Sequence, residues 1–252
     1  MKKGLLILVP ALLLSLTACD LSSLVEKLGG NGDDGETSQN DGETSQNAGD
    51  NSNGNVNSNN QGDDDSIFDK TESIDKLMAY GKDTGFEIVT VGSESDGTAD
   101  TSFTLGMKGN VWWIMDEGYG SAYRLENGAC SMLTYDGTTQ TWSVLIANVG
   151  ETQFKEMFAS ETDYLYKANT YFANEGFASN GSGKYAGRDV LKYKYHRAVG
   201  TVSVDHEYYV DKDLGISLYQ YAATTSDGDT SWAKLETTSF KTGNDVAAIT
   251  IA

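Results

Sequence analysis

From residue 86 to residue 147 the chain runs in short stretches of alternating apolar and polar residues, each closed by a turn signal. The stretches are residues 86–91, 101–108, 111–115, 121–125, 129–135 and 141–147. Between them stand Asp96-Gly97, Gly109-Asn110, Glu117-Gly118, Asn127-Gly128 and Asp136-Gly137. Glycine-containing pairs between alternating runs favour tight hairpins, so this half of the chain is predicted to be an antiparallel meander. Phe103, Leu105 and Met107 share one face of their strand, and Trp142, Val144 and Ile146 share one face of theirs. In 111–115 both faces are apolar, because Trp112 and Ile114 oppose Val111, Trp113 and Met115. A strand of that kind is expected to be covered on both sides.

Two segments change period. Residues 67–82 place Phe68, Ile74, Leu77 and Met78 along one stripe, which predicts a helix ending at Gly81 and Gly85. Residues 151–172 place Phe154, Met157, Phe158, Leu165, Ala168 and Phe172 on one side, a second helical segment. Ser160 with Asp163 resembles a capping box, which predicts two helices meeting near Ser160. Residues 174–183 read as a Gly/Ser/Asn loop, followed by strands at 184–199, 202–210, 216–224 and 232–240. A helix, six strands, a helical break and four more strands make an α+β fold. The expected architecture is a single large antiparallel sheet, long enough to curl, with helices against one face.

The first 66 residues have a different character. Met1-Lys2-Lys3 and the apolar run of 5–14 read as a cleavable export signal, too short for a membrane span, which needs about 20 residues. Leu16-Thr17-Ala18-Cys19 resembles the lipobox of bacterial lipoproteins. That resemblance implies a diacylglyceryl group on the Cys19 thiol, cleavage before Cys19 and attachment to a membrane. Asp20 resembles the inner-membrane retention signal of bacteria with two membranes. From residue 29 to 66 the chain is almost wholly Gly, Asn, Asp, Ser, Gln, Glu and Thr, with Val56 its only large apolar residue. It repeats Asp-Gly-Glu-Thr-Ser-Gln-Asn at 34–40 and 41–47. Such a segment buries too little to offset its ordering entropy, so a disordered tether is expected, spanning roughly 35–40 Å. The only proline is Pro10, so nothing stiffens it. The expected organisation is a signal at 1–18, a lipidated cysteine and tether at 19–66, and a folded domain at 67–252.

Charge narrows the partners. The formal net charge is -19, and loss of Lys2 and Lys3 with the signal would make it -21. No Lys/Arg-rich run interrupts this acidity, which argues against nucleic acid as a partner. With Cys19 lipidated, Cys130 has no intramolecular partner, and its apolar strand context predicts burial. The chain has no Gly-x-Ser-x-Gly elbow and no paired cysteines for zinc, and Gly183-Lys184 lacks the rest of a phosphate loop. A two-residue turn at Gly200-Thr201 would set His196 opposite Asp205 and His206 opposite Tyr195, pointing the two histidines to opposite faces, whereas a three-residue loop would put both on one face. Asp211-Lys212-Asp213-Leu214-Gly215 has too few oxygen ligands for a calcium loop and reads as a hairpin turn. No catalytic group, metal site or cofactor is expected.

The strand–turn–strand layout of 109–142, Gly187-Arg188-Asp189-Val190-Leu191-Lys192-Tyr193, and the run Tyr208-Tyr209-Val210-Asp211-Lys212 ending at Gly215 together resemble the LolA/LolB/LppX-like lipoprotein carriers. The resemblance implies a half-open antiparallel barrel with helices on its concave face, where such proteins hold acyl chains. The expected function is that of a membrane-tethered, extracytoplasmic, non-catalytic binding domain for a lipid or other apolar small molecule. Trp112, Trp113, Trp142, Met107, Met115 and Phe158 are the candidates for its ligand-facing surface or lid. The alternative is an adhesion or protein/glycan-contact domain using the tyrosines crowded in the last strands: Tyr193, Tyr195, Tyr208, Tyr209, Tyr219 and Tyr221.

Overall fold

The structure, a computed structural model, describes residues 68–168 and 178–251. The signal, Cys19 and the acidic tract of 29–66 lie outside the described residues. Helix α1, Lys70–Asp83, is capped by Asp69, whose carboxylate accepts the Glu72 amide at 2.9 Å. It ends where Gly85, at φ +88°, turns the chain into strand β1, Phe86–Glu94. The meander follows as β2 (Thr101–Lys108), β3 (Val111–Asp116), β4 (Tyr119–Glu126), β5 (Ala129–Asp136) and β6 (Thr141–Gly150). Each predicted run of the first half is a strand, paired in sequence order.

Helix α2, Glu151–Glu161, starts directly from β6. The predicted helix over 151–172 is interrupted: after Thr162 the chain tightens into a 3-10 turn, Asp163–Tyr166. The Thr162 hydroxyl donates to the Phe158 carbonyl at 2.7 Å. The junction therefore sits at Thr162 rather than Ser160, and Asp163 pairs with Lys70 and Lys167 instead of capping. Residues 169–172 lie outside the described residues.

The second half forms β7 (Ala178–Tyr185), β8 (Arg188–Val199), β9 (Val202–Asp211), β10 (Ser217–Ser226) and β11 (Asp229–Thr242). Strand β7 corrects the expected loop over 178–183, and 174–177 lie outside the described residues. It carries no apolar alternation because it is an edge strand exposed on nearly every residue, so its pairing with β8 defines it. Its hairpin turn uses Ala186 and Gly187, both at positive φ. The predicted strand of 184–199 is thus the end of β7, a turn and β8.

All strands join one antiparallel sheet in the order β6-β5-β4-β3-β2-β1-β11-β10-β9-β8-β7. The sheet curls but does not close, leaving β6 and β7 as edges, and the helices cover its concave face: an α+β fold. Ile74 and Leu77 of α1 and Phe154 and Phe158 of α2 pack on Phe86, Ile88, Phe103, Leu105, Met107, Trp112 and Ile114. Trp112 is fully buried, stacks on Tyr123 at 4.4 Å, and donates its indole N–H to the Phe154 carbonyl. That bond satisfies the one polar atom the side chain brings into the core.

The second apolar face of β3 has its own cover. After β11 the chain turns through Gly243–Asp245 and crosses the opposite side of the sheet. Val246, Ile249 and Ile251 pack there with Trp113, Ala122, Leu133 and Trp142. Lys108 holds this strap by donating to the Val246 carbonyl at 2.6 Å. Beneath it two tryptophans lie over glycines. The indole of Trp113 fills the space where a Gly106 side chain would stand, and a carbon on Gly120 would meet the Trp142 ring at 2.8 Å.

Candidate functional site: a groove between the helices

Helices α1 and α2 sit side by side on the sheet with a cavity of about 640 Å³ between them. Its floor is Met107 of β2, Leu125 of β4 and Phe154 of α2. Ile74, Met78 and Ala79 form the α1 wall, and Ala159 stands on the α2 side. The size lies in the range of small-molecule sites, and the lining is mainly apolar. Gly81 brings α1 down onto the sheet at one end, since a side chain there would meet Met107 at 2.6 Å. At the mouth Lys82 and Lys155 stand among Glu151 and Glu156. Lys155 is paired with Asp75 at 2.6 Å, which ties the two helices together across the solvent side.

Of the six residues expected to face a ligand, Met107 lines this cavity. Trp112 and Phe158 are fully buried in the core on the same side of the sheet. Trp113, Trp142 and Met115 pack on the opposite face under the C-terminal strap. The remaining groove residues were half visible in sequence. Ile74 and Met78 belong to the α1 stripe, but Leu125, Ala159 and Lys82 carry no signal of their own, because the gap between two helices is set by their spacing.

The tyrosines divide into two sets. Tyr193 and Tyr208 are buried with Leu191, Val210 and Ala168. Tyr185, Tyr209 and Tyr219 form a half-exposed ladder, with Tyr209 and Tyr219 stacked at 4.7 Å and Tyr185 edge-on to Tyr209 at 5.3 Å. Lys192 lies over the Tyr209 ring at 4.7 Å, and the Tyr209 hydroxyl donates to Glu207 at 3.0 Å. Burial pushes the Tyr185 and Tyr219 hydroxyls up to about 12, so both stay neutral.

The histidines fall as the two-residue turn requires. Tyr195 pairs with His206 and His196 with Asp205, so the rings point to opposite faces. His196 Nδ1 sits 2.7 Å from the Asp205 carboxylate. In the β9–β10 turn the fully buried Asp211 accepts from Arg188 Nε at 2.6 Å and from the amides of Asp213 and Leu214, both at 2.9 Å. Its carboxylate is consumed by structure. Cys130 is fully buried on β5, and desolvation pushes its thiol up, away from the reactive thiolate. Among the described residues no helix is long and apolar enough to cross a membrane.

No family model matches the chain, and no curated protein sequence matches it. Solved structures match it only at low identity and low TM-score. A chain of the Pseudomonas aeruginosa MucA/MucB complex is 13% identical with a TM-score of 0.34, over 71% of this chain and 59% of that one. A DUF1329 family protein from Desulfovibrio piger is 8% identical with a TM-score of 0.27, over 71% and 93%. A domain named as an outer membrane lipoprotein-sorting protein from Vibrio parahaemolyticus is 7% identical with a TM-score of 0.23, over 71% and 95%. This chain spans about three fifths of the MucA/MucB chain. None of these likenesses defines a family for it.

Proposed function

We propose that this chain is an extracytoplasmic, lipid-anchored, non-catalytic binding protein that holds an acyl chain or similar apolar group in the groove between α1 and α2. The observation that carries the reading is the groove itself: about 640 Å³ over an apolar floor of Met107, Leu125 and Phe154, open at the surface. Each methylene moved there from water gains about 0.8 kcal/mol, so a partly inserted chain offsets the cost of its own immobilisation. The mouth holds charges of both signs, so the apolar part of the ligand supplies most of the affinity. The export signal and Leu16-Thr17-Ala18-Cys19 support the location, with lipid on Cys19 as the membrane partner. The tract of 29–66 acts as the tether.

The test is to extract the purified chain with organic solvent, identify lipid by mass spectrometry, and titrate a fluorescent fatty acid. Lipid should be recovered, and Ala79→Trp, which fills the groove from its exposed wall, should weaken the titration about tenfold. No lipid and a flat titration would remove the reading. The tyrosine ladder then favours a second one, an aromatic surface for protein or glycan contact, testable with Tyr209→Ala in a glycan-binding screen.

A further inference from the structure

The two edges of the sheet are built differently. Strand β7 is exposed, glycine- and serine-rich, and carries Lys184 paired with Asp189 at 3.1 Å. Such an edge is protected against further pairing by its polarity and its charge. Strand β6 runs ten residues, Thr141–Gly150, without a single charge. Its Val144, Leu145 and Ile146 are 46%, 58% and 49% exposed, three of the five most exposed large apolar residues among the described residues. Val144, Leu145 and Ile146 are consecutive, with Leu145 the extra residue of a bulge between the Leu133–Val144 and Met132–Ile146 pairs, and the outer backbone edge of the strand faces away from β5. One residue touches this edge: Ile251 of the C-terminal strap makes an isolated parallel bridge to Trp142. From Ser143 onward, among the described residues, only β5 pairs with this strand, on its inner side.

The charges around this edge select its occupant. Asp136 lies opposite Thr141 at one end, and Asp116 pairs with Tyr119, the partner of Asp136, at the same end. Glu151 follows Gly150 immediately at the other end and is exposed. The strip is therefore apolar in the middle and acidic at both ends. A second copy would pair antiparallel about a two-fold axis, bringing the Glu151 end of one β6 against the Asp136 end of its mate. Acid would meet acid, within a chain whose net charge is already -19. An extended segment with apolar alternation and basic flanks meets every one of these features.

We infer that the β6 edge is a docking site for a partner protein's extended strand, apolar at its centre and Lys/Arg-rich at its ends, added to the sheet beside Val144, Leu145 and Ile146. Main-chain hydrogen bonds would supply part of the affinity, the apolar side chains the register, and the acidic ends the choice of partner. Apart from Glu151, which also stands at the groove mouth, this site shares no residue with the groove, and it does not depend on what the groove holds.

The experiment uses the full chain in detergent and two end-blocked synthetic peptides, Lys-Lys-Val-Thr-Val-Ile-Val-Lys-Lys and the same core flanked by glutamates. Calorimetry should show binding of the basic peptide and binding of the acidic one at least about tenfold weaker, a gap that closes with added salt. Leu145→Lys should weaken the basic peptide about tenfold while leaving the thermal midpoint and the fatty-acid titration unchanged. Should Leu145→Lys lower the midpoint, Val144→Lys serves as the second variant and must show the same loss. Equal binding of both peptides, binding by neither, or full binding by a correctly folded lysine variant overturns the inference. So does sedimentation of the chain as a dimer that Leu145→Lys disperses, which would make a second copy the occupant.

Discussion

At the residue scale, burial of charge decides what each group can do. Asp211 has no solvent access and is held by Arg188, whose guanidinium also lies over the Tyr80 and Phe240 rings at 5.6 and 5.2 Å. Losing one partner of a buried pair leaves the other uncompensated, so Asp211→Ala should cost on the order of 3–5 kcal/mol. Asp211→Asn retains an oxygen for the Asp213 and Leu214 amides and should cost distinctly less. Chemical denaturation of the two variants measures the difference, and equal losses would show that the amide bonds contribute nothing. Glu161, at the end of α2, has no such partner among the described residues, and desolvation raises its carboxyl above the ordinary 4.5. A raised folded value means the folded state holds the proton more tightly. The stability it confers is full below about 4.5 and is lost as pH rises through the folded value. Glu161→Gln should therefore raise the thermal midpoint near neutral pH and leave it unchanged in acid. A lower midpoint at neutral pH would mean that the carboxylate makes a favourable contact there.

At the element scale, strand β3 shows how one apolar pattern demands two covers. Trp112 and Ile114 are met by the helices, and Val111, Trp113 and Met115 by residues 246–251. Val246, only 1% exposed, anchors that strap. Val246→Ala should lose about 2 kcal/mol of stability. It should also shift tryptophan emission to longer wavelength as Trp113 and Trp142 meet water. An unchanged spectrum with an unchanged midpoint would mean the strap contributes no cover. The alternating strands were legible in sequence because each has one buried face. Strand β7 was not, because neither of its faces is buried and nothing local distinguishes it from a loop. The helical break lies at Thr162, two residues beyond Ser160, for a related reason. A Ser-x-x-Asp spacing marks a local capping option, whereas Asp163 is taken by Lys70 from α1, 93 residues away in sequence.

At the scale of the whole molecule, the proposed anchor and tether set where the domain works and should leave its stability untouched. Cys19→Ser should release the protein from membranes, and deleting 29–66 should leave the thermal midpoint almost unchanged, since that tract has almost nothing apolar to bury. Retention of the serine variant on membranes would refute the lipid anchor, and a fall of several degrees would mean the tract packs on the domain. The α+β class, the antiparallel order of the meander and the burial of Cys130 were legible in sequence alone, whereas the opposed histidines also needed the two-residue turn at Gly200-Thr201 that the structure supplies. Each follows from side-chain period and turn chemistry within a few residues. The groove, the strap and the free β6 edge were decided only by tertiary structure. Whether an apolar residue such as Trp142, Met78 or Leu145 ends up under a strap, in a groove or in solvent depends on what arrives from elsewhere in the chain. Hydrophobicity drives all three toward cover without direction, and only the assembled sheet and helices decide which of them receive it.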